Sequence, residues 1–410
     1  MRRALGTIVL LLLLGAAPAR AAQLVTWDTT SRYVDPSHVT FNGVQPGLKV
    51  NVLLPDGFDP NRCHPVLYLL HGHGDAYDTW AKPDSGDVQE VAKGFPAIIV
   101  MPEGDHGWYV NWWNDGARSP AWESYHLDEL IPLVEQRLRI CPGRSNRAIA
   151  GLSMGGEGAI YYAEQRPGYF GAAASFSGPL SIQRLEWPTG FDTQGEHNRD
   201  VFGDPQAQKF YWEGHNPVAL LKNLRYTRLF VTVGDGTPAP KPDELTNTFG
   251  QVAERDLRMH ADDFVAAAHR LGDIDVTYHP RQGIHAWPYW RAHLADAIQW
   301  GFFRPVGETP AFWWFSTVET QSDAWGFHLA FAKPPEALET FHRHGRSLSA
   351  TGSGTVTVTT PEGTRFTRAL PFDVKLPKPR RYDRSHAHHV RKAGLPVLSG
   401  RARGSDRGGR

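Results

Sequence analysis

Four short apolar runs limit what this chain can fold into more than any other feature: Pro65-Val66-Leu67-Tyr68-Leu69-Leu70, Ala97-Ile98-Ile99-Val100-Met101, Arg147-Ala148-Ile149-Ala150 and Arg228-Leu229-Phe230-Val231-Thr232-Val233. Each is short for a buried helix, and none alternates as a strand with one wet face would. Continuous apolar runs of this length suit strands buried on both faces, as in a parallel sheet sandwiched by helices. The intervals carry helical spacing. Glu123 to Leu138 repeats Tyr125, Leu127, Leu130, Ile131, Val134 and Leu138, and Gly156 to Arg166 follows the third run. Gln251 to Leu271 and Tyr289 to Gly301 come later. Such alternation, sustained over about 280 residues, predicts an α/β layered domain.

The flanks read differently. Thr26 to Leu54 is strand-like, with alternation at His38-Val39-Thr40-Phe41 and Leu48 to Leu54 before a Pro55-Asp56-Gly57 turn. Past Arg304, Trp313 to Thr320 and Trp325 to Phe331 read as strands, and Thr355 to Thr360 with Thr364 to Leu370 as a hairpin. From about Leu376 the apolar pattern gives way to Arg, Gly, Pro and His, a composition expected to be disordered. The expected organisation is a leader at 1–21, an α/β domain at 22–304, a β-rich unit at 305–375 and a basic tail at 376–410.

Met1-Arg2-Arg3, the apolar run Ile8 to Leu14 and Ala19-Arg20-Ala21 have the order of a secretory signal peptide. The run is short of the roughly 20 residues that span a bilayer. The expected location is therefore outside the cell or in its envelope. The formal net charge of zero, from 43 Lys+Arg and 43 Asp+Glu, is a cancellation. Lys378 to Arg410 holds ten Lys/Arg against two Asp, so the remainder of the chain is acidic. An acidic body offers nothing to nucleic acid, and none is expected as a partner. The tail offers attachment to anionic envelope polymers. His386, His388 and His389 within it suggest at most weak metal binding. Export permits a disulfide. Cys63 and Cys141, the only two cysteines, each precede a turn that ends a central strand. If those strands are neighbours, both cysteines lie at the same end of the sheet, and a Cys63–Cys141 bridge is expected.

Gly151-Leu152-Ser153-Met154-Gly155 stands directly after the third run and before a helical stretch. That is the context in which a G-x-S-x-G turn presents a serine nucleophile. Small flanking residues let the backbone turn sharply, and the following helix points its positive end at developing negative charge. Leu69-Leu70-His71-Gly72-His73-Gly74 closes the first central strand. In α/β-hydrolases this loop gives one main-chain N–H to the oxyanion hole and the residue after the serine gives the other, here His73 and Met154. His71 and His73 lack the nearby acidic or Cys cluster of a zinc motif, so no metal is expected there. His285 in Gly283-Ile284-His285-Ala286-Trp287 follows the last strand, Asp275 to Pro280, and is the expected base. Asp235, Asp243, Glu244 and Glu254 lie between serine and histidine; strand-end position favours Asp235 as the acid. Trp108, Trp112, Trp113 and Trp287 could line an acyl or aryl pocket at the C-terminal edge of the sheet, and Trp80 reads as core.

Leu70-His71-Gly72, Gly151-Leu152-Ser153-Met154-Gly155-Gly156, Val233-Gly234-Asp235-Gly236-Thr237-Pro238 and Gly283 to Trp290 together resemble the secreted mycolyltransferases, within the wider esterase D/putative esterase family of α/β-hydrolases. The resemblance runs from about residue 25 to 303 and implies an α/β-hydrolase fold. It also implies a serine ester hydrolase or acyltransferase without metal or organic cofactor, working as a monomer on a small-molecule or glycolipid ester. In that family the acid is a Glu on the helix after the Gly-Thr-Pro loop. The matching residue is Glu254, with Asp235 the alternative. The His-Gly-His-Gly loop leans toward the ordinary esterases of the family. A non-catalytic binding protein on the same fold is the rival expectation.

Overall fold

The computed structural model describes residues 21–35, 47–113, 119–184 and 198–378. Residues 1–20 of the leader, the His38–Phe41 strand and the tail histidines lie outside the described residues. Among the described residues no helix is long and apolar enough to cross a membrane.

The four apolar runs form the centre of one eight-stranded sheet. Its strands are β1 (Gln23–Asp28), β2 (Lys49–Leu54), β3 (Val66–Leu70), β4 (Ile98–Pro102), β5 (Arg147–Leu152), β6 (Ala172–Phe176), β7 (Arg228–Val233) and β8 (Val276–Pro280), in the order β1-β2-β4-β3-β5-β6-β7-β8. β1 and β2 pair antiparallel, β2 runs antiparallel to β4, and all the other neighbours are parallel. This is the mostly parallel α/β-hydrolase sheet, as expected. Every residue of β3, β4, β6 and β7 is buried because both faces are covered. One face packs Val66, Tyr68, Leu70, Ile149 and Val231 against Tyr109, Tyr162 and Phe264. The other packs Leu67, Leu69, Ala148, Ala150 and Phe230 against Trp80, Trp290 and Leu294. Such face-to-face burial is the main stabilising term of the layer, at about 25 cal/mol per Å² of apolar surface.

Three helices set the site: Met154–Gln165, Thr248–Leu271 and Trp287–Trp300. The stretch expected as one helix over 123–138 spans Trp122–Ser124, a π-helical Tyr125–Leu130 and Ile131–Arg137. Cys63 and Cys141 are bonded, with Cα atoms 4.7 Å apart. They flank a parallel bridge between His64 and Ile140 at the N-terminal ends of β3 and β5, so the inference from strand adjacency has a structural basis.

Beyond the last of these helices the chain forms more sheet than its sequence suggested. β9 (Phe312–Thr317), β10 (Gln321–Ala324), β11 (Phe327–Phe331), β12 (Glu339–His344), β13 (Ser347–Thr351), β14 (Thr355–Thr359), β15 (Arg365–Ala369) and β16 (Phe372–Lys375) make two four-stranded antiparallel sheets. The hairpin expected around Pro361-Glu362-Gly363 is β14–β15. β12, β13 and β16 went unread because only alternate residues such as Phe341, Leu348 and Ala350 face inward, between polar neighbours. The sheets face each other through Trp313 against Phe327 and Phe331 against Phe341, with ring centroids 5.3 and 6.2 Å apart.

Rather than hanging free, this sandwich is packed on the α/β layer. Asn223 exchanges side-chain bonds of 2.9 Å with the Ser316 backbone, Arg166 pairs with Asp323 at 2.9 Å, and the Trp325 N–H bonds to Pro167 O at 2.8 Å.

Candidate active site

Ser153 occupies the turn between β5 and the helix Met154–Gln165, at φ 50° and ψ −120°. A non-glycine residue is strained there, and the neighbouring packing enforces it. A Cβ on Gly151 would fall 2.1 Å from Gly155 O, and one on Gly155 would fall 2.4 Å from His71 O. Both glycines are therefore required by close approach of main chain to main chain. The Ser153 N–H is tied to Phe176 O at 2.8 Å, so the turn is held from β6 as well.

His285 lies in the loop between β8 and the helix Trp287–Trp300, and its N–H bonds to Gly250 O at 2.9 Å. Its Nε2 is 2.9 Å from Ser153 Oγ and its Nδ1 is 2.8 Å from Glu254 Oε2. A carboxylate only accepts, so Nδ1 carries the proton and Nε2 presents its lone pair to the serine. Trp290 stands edge-on to the imidazole at 4.7 Å and limits its rotation.

Glu254, on the buried face of the helix Thr248–Leu271, is fully buried. Its Oε1 accepts from Ser177 Oγ and from the Gly234 N–H, each at 2.6 Å. Burial works to raise its pKa. The hydrogen bond and charge of His285, with Ser177 and Gly234, overcome this and hold it below the ordinary carboxylate value. Asp235 is exposed, and its Oδ1 accepts from the Thr237 N–H at 2.8 Å and the Gly283 N–H at 3.3 Å. Strand-end position had favoured Asp235. Its carboxylate instead closes the turn after β7 and leaves His285 to Glu254. Glu244 accepts from Tyr289 OH at 2.5 Å and the Ala239 N–H at 2.8 Å, while Asp243 is exposed.

Met154 opens its helix, so its N–H lacks an intrahelical acceptor and faces the serine end. The His71–Gly74 loop touches the same turn: a Cβ on Gly72 would be 3.5 Å from Ser153 Cβ. His73 is half-buried and stacks on His106 at 4.1 Å. Both ring nitrogens of His71 are engaged, Nδ1 with Gly72 O at 2.8 Å and Nε2 with the Gly104 N–H at 2.9 Å. That leaves His71 no lone pair for a metal.

The four tryptophans have different neighbours. Trp108 is buried, 5.8 Å from His73; Trp113 packs on Tyr211 at 5.0 Å; Trp112 bonds to Gly107 O at 3.1 Å. Trp287 instead sits edge-on to Trp80 and Trp290, at 5.1 and 5.3 Å. Trp80 is core, as expected. A cavity of about 660 Å³ lined by Asp28, Thr29, Tyr125, Glu129 and Arg137 is separate from Ser153 and His285.

Ser177, Gly234 and Trp290 were missed as partners of Glu254 and His285, and no local spacing marks them. Asp75, also missed, accepts from the Gly72 N–H at 3.3 Å in the same loop. Burial raises its pKa from 3.8 to about 6. The folded value exceeds the unfolded one, so ionising Asp75 costs stability increasingly from pH 4 to about 6. Asp75→Asn should therefore raise Tm at pH 7.5, by at most about 3 kcal/mol of stability. The gain should vanish near pH 4 in thermal melts; an equal gain at both pH values would refute it.

The family model for putative esterases matches residues 43–300. The chain belongs to the putative esterase family. An esterase of Mycobacterium tuberculosis is 36% identical over 228 residues, 53% of this chain; the chain spans only 49% of that relative. The diacylglycerol acyltransferase/mycolyltransferase Ag85A of Mycobacterium gordonae is 27% identical over 264 residues, 60% of this chain and 74% of the relative. Among solved structures, the fluorophosphonate-binding serine hydrolase FphF of Staphylococcus aureus superposes with a TM-score of 0.52 at 20% identity. It covers 70% of this chain and 100% of that one, a likeness of fold. The family match ends at residue 300, so it does not include the β-sandwich.

Proposed function

We propose that the chain is an exported serine ester hydrolase working through an acyl-enzyme on Ser153. The observation that carries this is the run of contacts from Ser153 Oγ to His285 Nε2, 2.9 Å, and from His285 Nδ1 to Glu254, 2.8 Å, on a strained strand-to-helix turn.

In the acylation step Ser153 Oγ attacks the ester carbonyl carbon while His285 Nε2 takes the hydroxyl proton. Glu254 keeps the imidazole in the Nδ1–H tautomer and stabilises the imidazolium. The Met154 and His73 N–H groups hold the carbonyl oxygen as it gains charge. Collapse expels the alcohol, which receives the proton from His285. In the second step water, deprotonated by His285, attacks the acyl-serine; collapse releases the acid while His285 returns the proton to Ser153 Oγ.

A second reading is transfer, in which a sugar hydroxyl replaces water; the likeness to Ag85A supports it. Both are tested together. A fluorophosphonate probe should label Ser153, and p-nitrophenyl esters should be turned over. Products with and without trehalose then separate hydrolysis from transfer. Failure of labelling together with absent turnover would leave the non-catalytic binding protein as the better account.

Export is supported by the leader-like Met1–Ala21 and by the Cys63–Cys141 bridge, which persists in oxidising compartments. Without the three leader arginines the remaining chain carries a formal charge of −3, polarised toward the basic tail. Deleting 378–410 should lower salt-sensitive retention on cells, because a cluster of cations binds anionic polymers in a screened manner. Unchanged retention would remove the tail from that role.

A further inference from the structure

Where the β-sandwich meets the α/β layer, three ligand-type side chains converge that the proposed reaction does not use. Glu123 comes from the helical turn Trp122–Ser124, His215 from the end of the helix Lys209–Gly214, and Glu319 from the turn between β9 and β10. One ligand atom from each lies within 4.8 Å of the others. Glu123 and His215 are buried, and the Glu319 side chain is 12% exposed.

The hydrogen bonding around them leaves one place unfilled. His215 Nδ1 faces Tyr211 O at 2.7 Å. A carbonyl only accepts, so Nδ1 carries a proton, and the metal-binding form of the ring is the tautomer whose lone pair is at Nε2. That fully buried Nε2 has no hydrogen-bond partner, and neither has Glu319 Oε1, 3.3 Å away. The outer oxygens are engaged: Glu123 Oε2 accepts from Tyr161 OH at 2.7 Å, and Glu319 Oε2 from Asn111 Nδ2 at 2.9 Å. Two carboxylates and an imidazole lone pair thus point at a common space in a buried setting.

We propose that Glu123, His215 and Glu319 bind one divalent cation of the zinc class, which clamps the β9–β10 turn of the sandwich to the α/β layer. One nitrogen and two carboxylate oxygens suit zinc and similar first-row ions better than calcium, which prefers oxygen alone. Tetrahedral ligation at about 2.0–2.2 Å needs ligand atoms about 3.4 Å apart, a contraction that side-chain rotation supplies. The Nδ1–H to Tyr211 O bond and the Asn111 bond to Glu319 are the outer contacts that orient metal ligands. Close docking of the turn is already built in: a Cβ on Gly214 would fall 2.4 Å from both Val318 methyls. Glu123 precedes His215 by 92 residues and Glu319 by 196, so no spacing motif could have shown this site.

The test uses the full chain, purified without a polyhistidine tag and stripped with chelator, then titrated with zinc against a chromophoric competitor. One tight zinc per chain is expected, together with a Tm raised by zinc. His386→Ala/His388→Ala/His389→Ala in one chain should bind the same, which separates the site from the tail. His215→Ala should abolish tight binding. Glu319→Gln preserves shape and the Asn111 contact, so it folds if anything does, and it should weaken zinc by more than about a hundredfold. Lack of saturable zinc in the parent, or equal binding by Glu319→Gln, would overturn the proposal in favour of a His215 imidazolium paired with Glu319 beside a neutral Glu123.

Discussion

Glu254→Gln should lower kcat for a p-nitrophenyl ester by about 10⁴-fold, while Asp235→Asn should stay within about threefold of the parent. The contrast follows from where each carboxylate sends its oxygens. Glu254 Oε2 fixes the Nδ1–H tautomer of His285, and Oε1 is saturated by Ser177 and Gly234. A glutamine keeps the volume, but its single carbonyl oxygen can satisfy only one side. The Ser177 hydroxyl and the Gly234 N–H together pull that oxygen away from the histidine, and the amide NH₂ then forces a proton onto Nε2. That tautomer cannot accept from Ser153. Asparagine at 235 still accepts from Thr237 through its carbonyl, so the turn survives. Steady-state kinetics of both variants decides it, and full activity in Glu254→Gln would sink the assignment.

Gly155→Ala should be nearly as damaging, by a different route. The added carbon would meet His71 O at 2.4 Å and Leu70 O at 2.7 Å, both backbone atoms of the junction between β3 and the His71–Gly74 loop. Neither can rotate away, so the nucleophile turn and the His71–Gly74 loop must separate. The expected cost is about 3 kcal/mol of stability or more, with activity lost even in the folded fraction because Ser153 is displaced relative to His285. Gly307→Ala is the control. Its Cβ would meet nothing within 4 Å, and it should change neither Tm nor turnover. Denaturant melts and kcat on the two variants read this directly; a stable, active Gly155→Ala would show the turn to be more pliant than its contacts imply.

Legibility followed the range of the interaction. The expected sheet is present because burial on both faces demands apolar residues at every position of β3, β4, β6 and β7. The turn at Ser153 could be read because its requirements are local: strand before, helix after, no Cβ at the crossing. The sandwich was legible only at its hairpin and its aromatic strands. Half-exposed strands such as β12 carry one strongly apolar inward residue, Phe341, among polar ones. Ring neighbours too are set by packing: Trp287 lies on the Trp80 and Trp290 cluster while Trp108 lies by His73.

From the sequence alone came the layered α/β class, the strand-to-helix turn bearing Ser153, the loop after the last strand bearing His285, and the pairing of Cys63 with Cys141. These depend on periodicity, chain order and strand adjacency, which a linear pattern carries. Residues alone left Asp235 ahead, and only a likeness of motif raised Glu254. The tertiary structure decided which carboxylate meets the imidazole, because the packing of the helix Thr248–Leu271 buries Glu254 and points it at His285 across 31 residues of chain. It also brought Ser177, Gly234 and Trp290 around that pair, and Glu123, His215 and Glu319 to one point. Contacts of this kind are set by how finished elements pack, and distance along the chain says nothing about them.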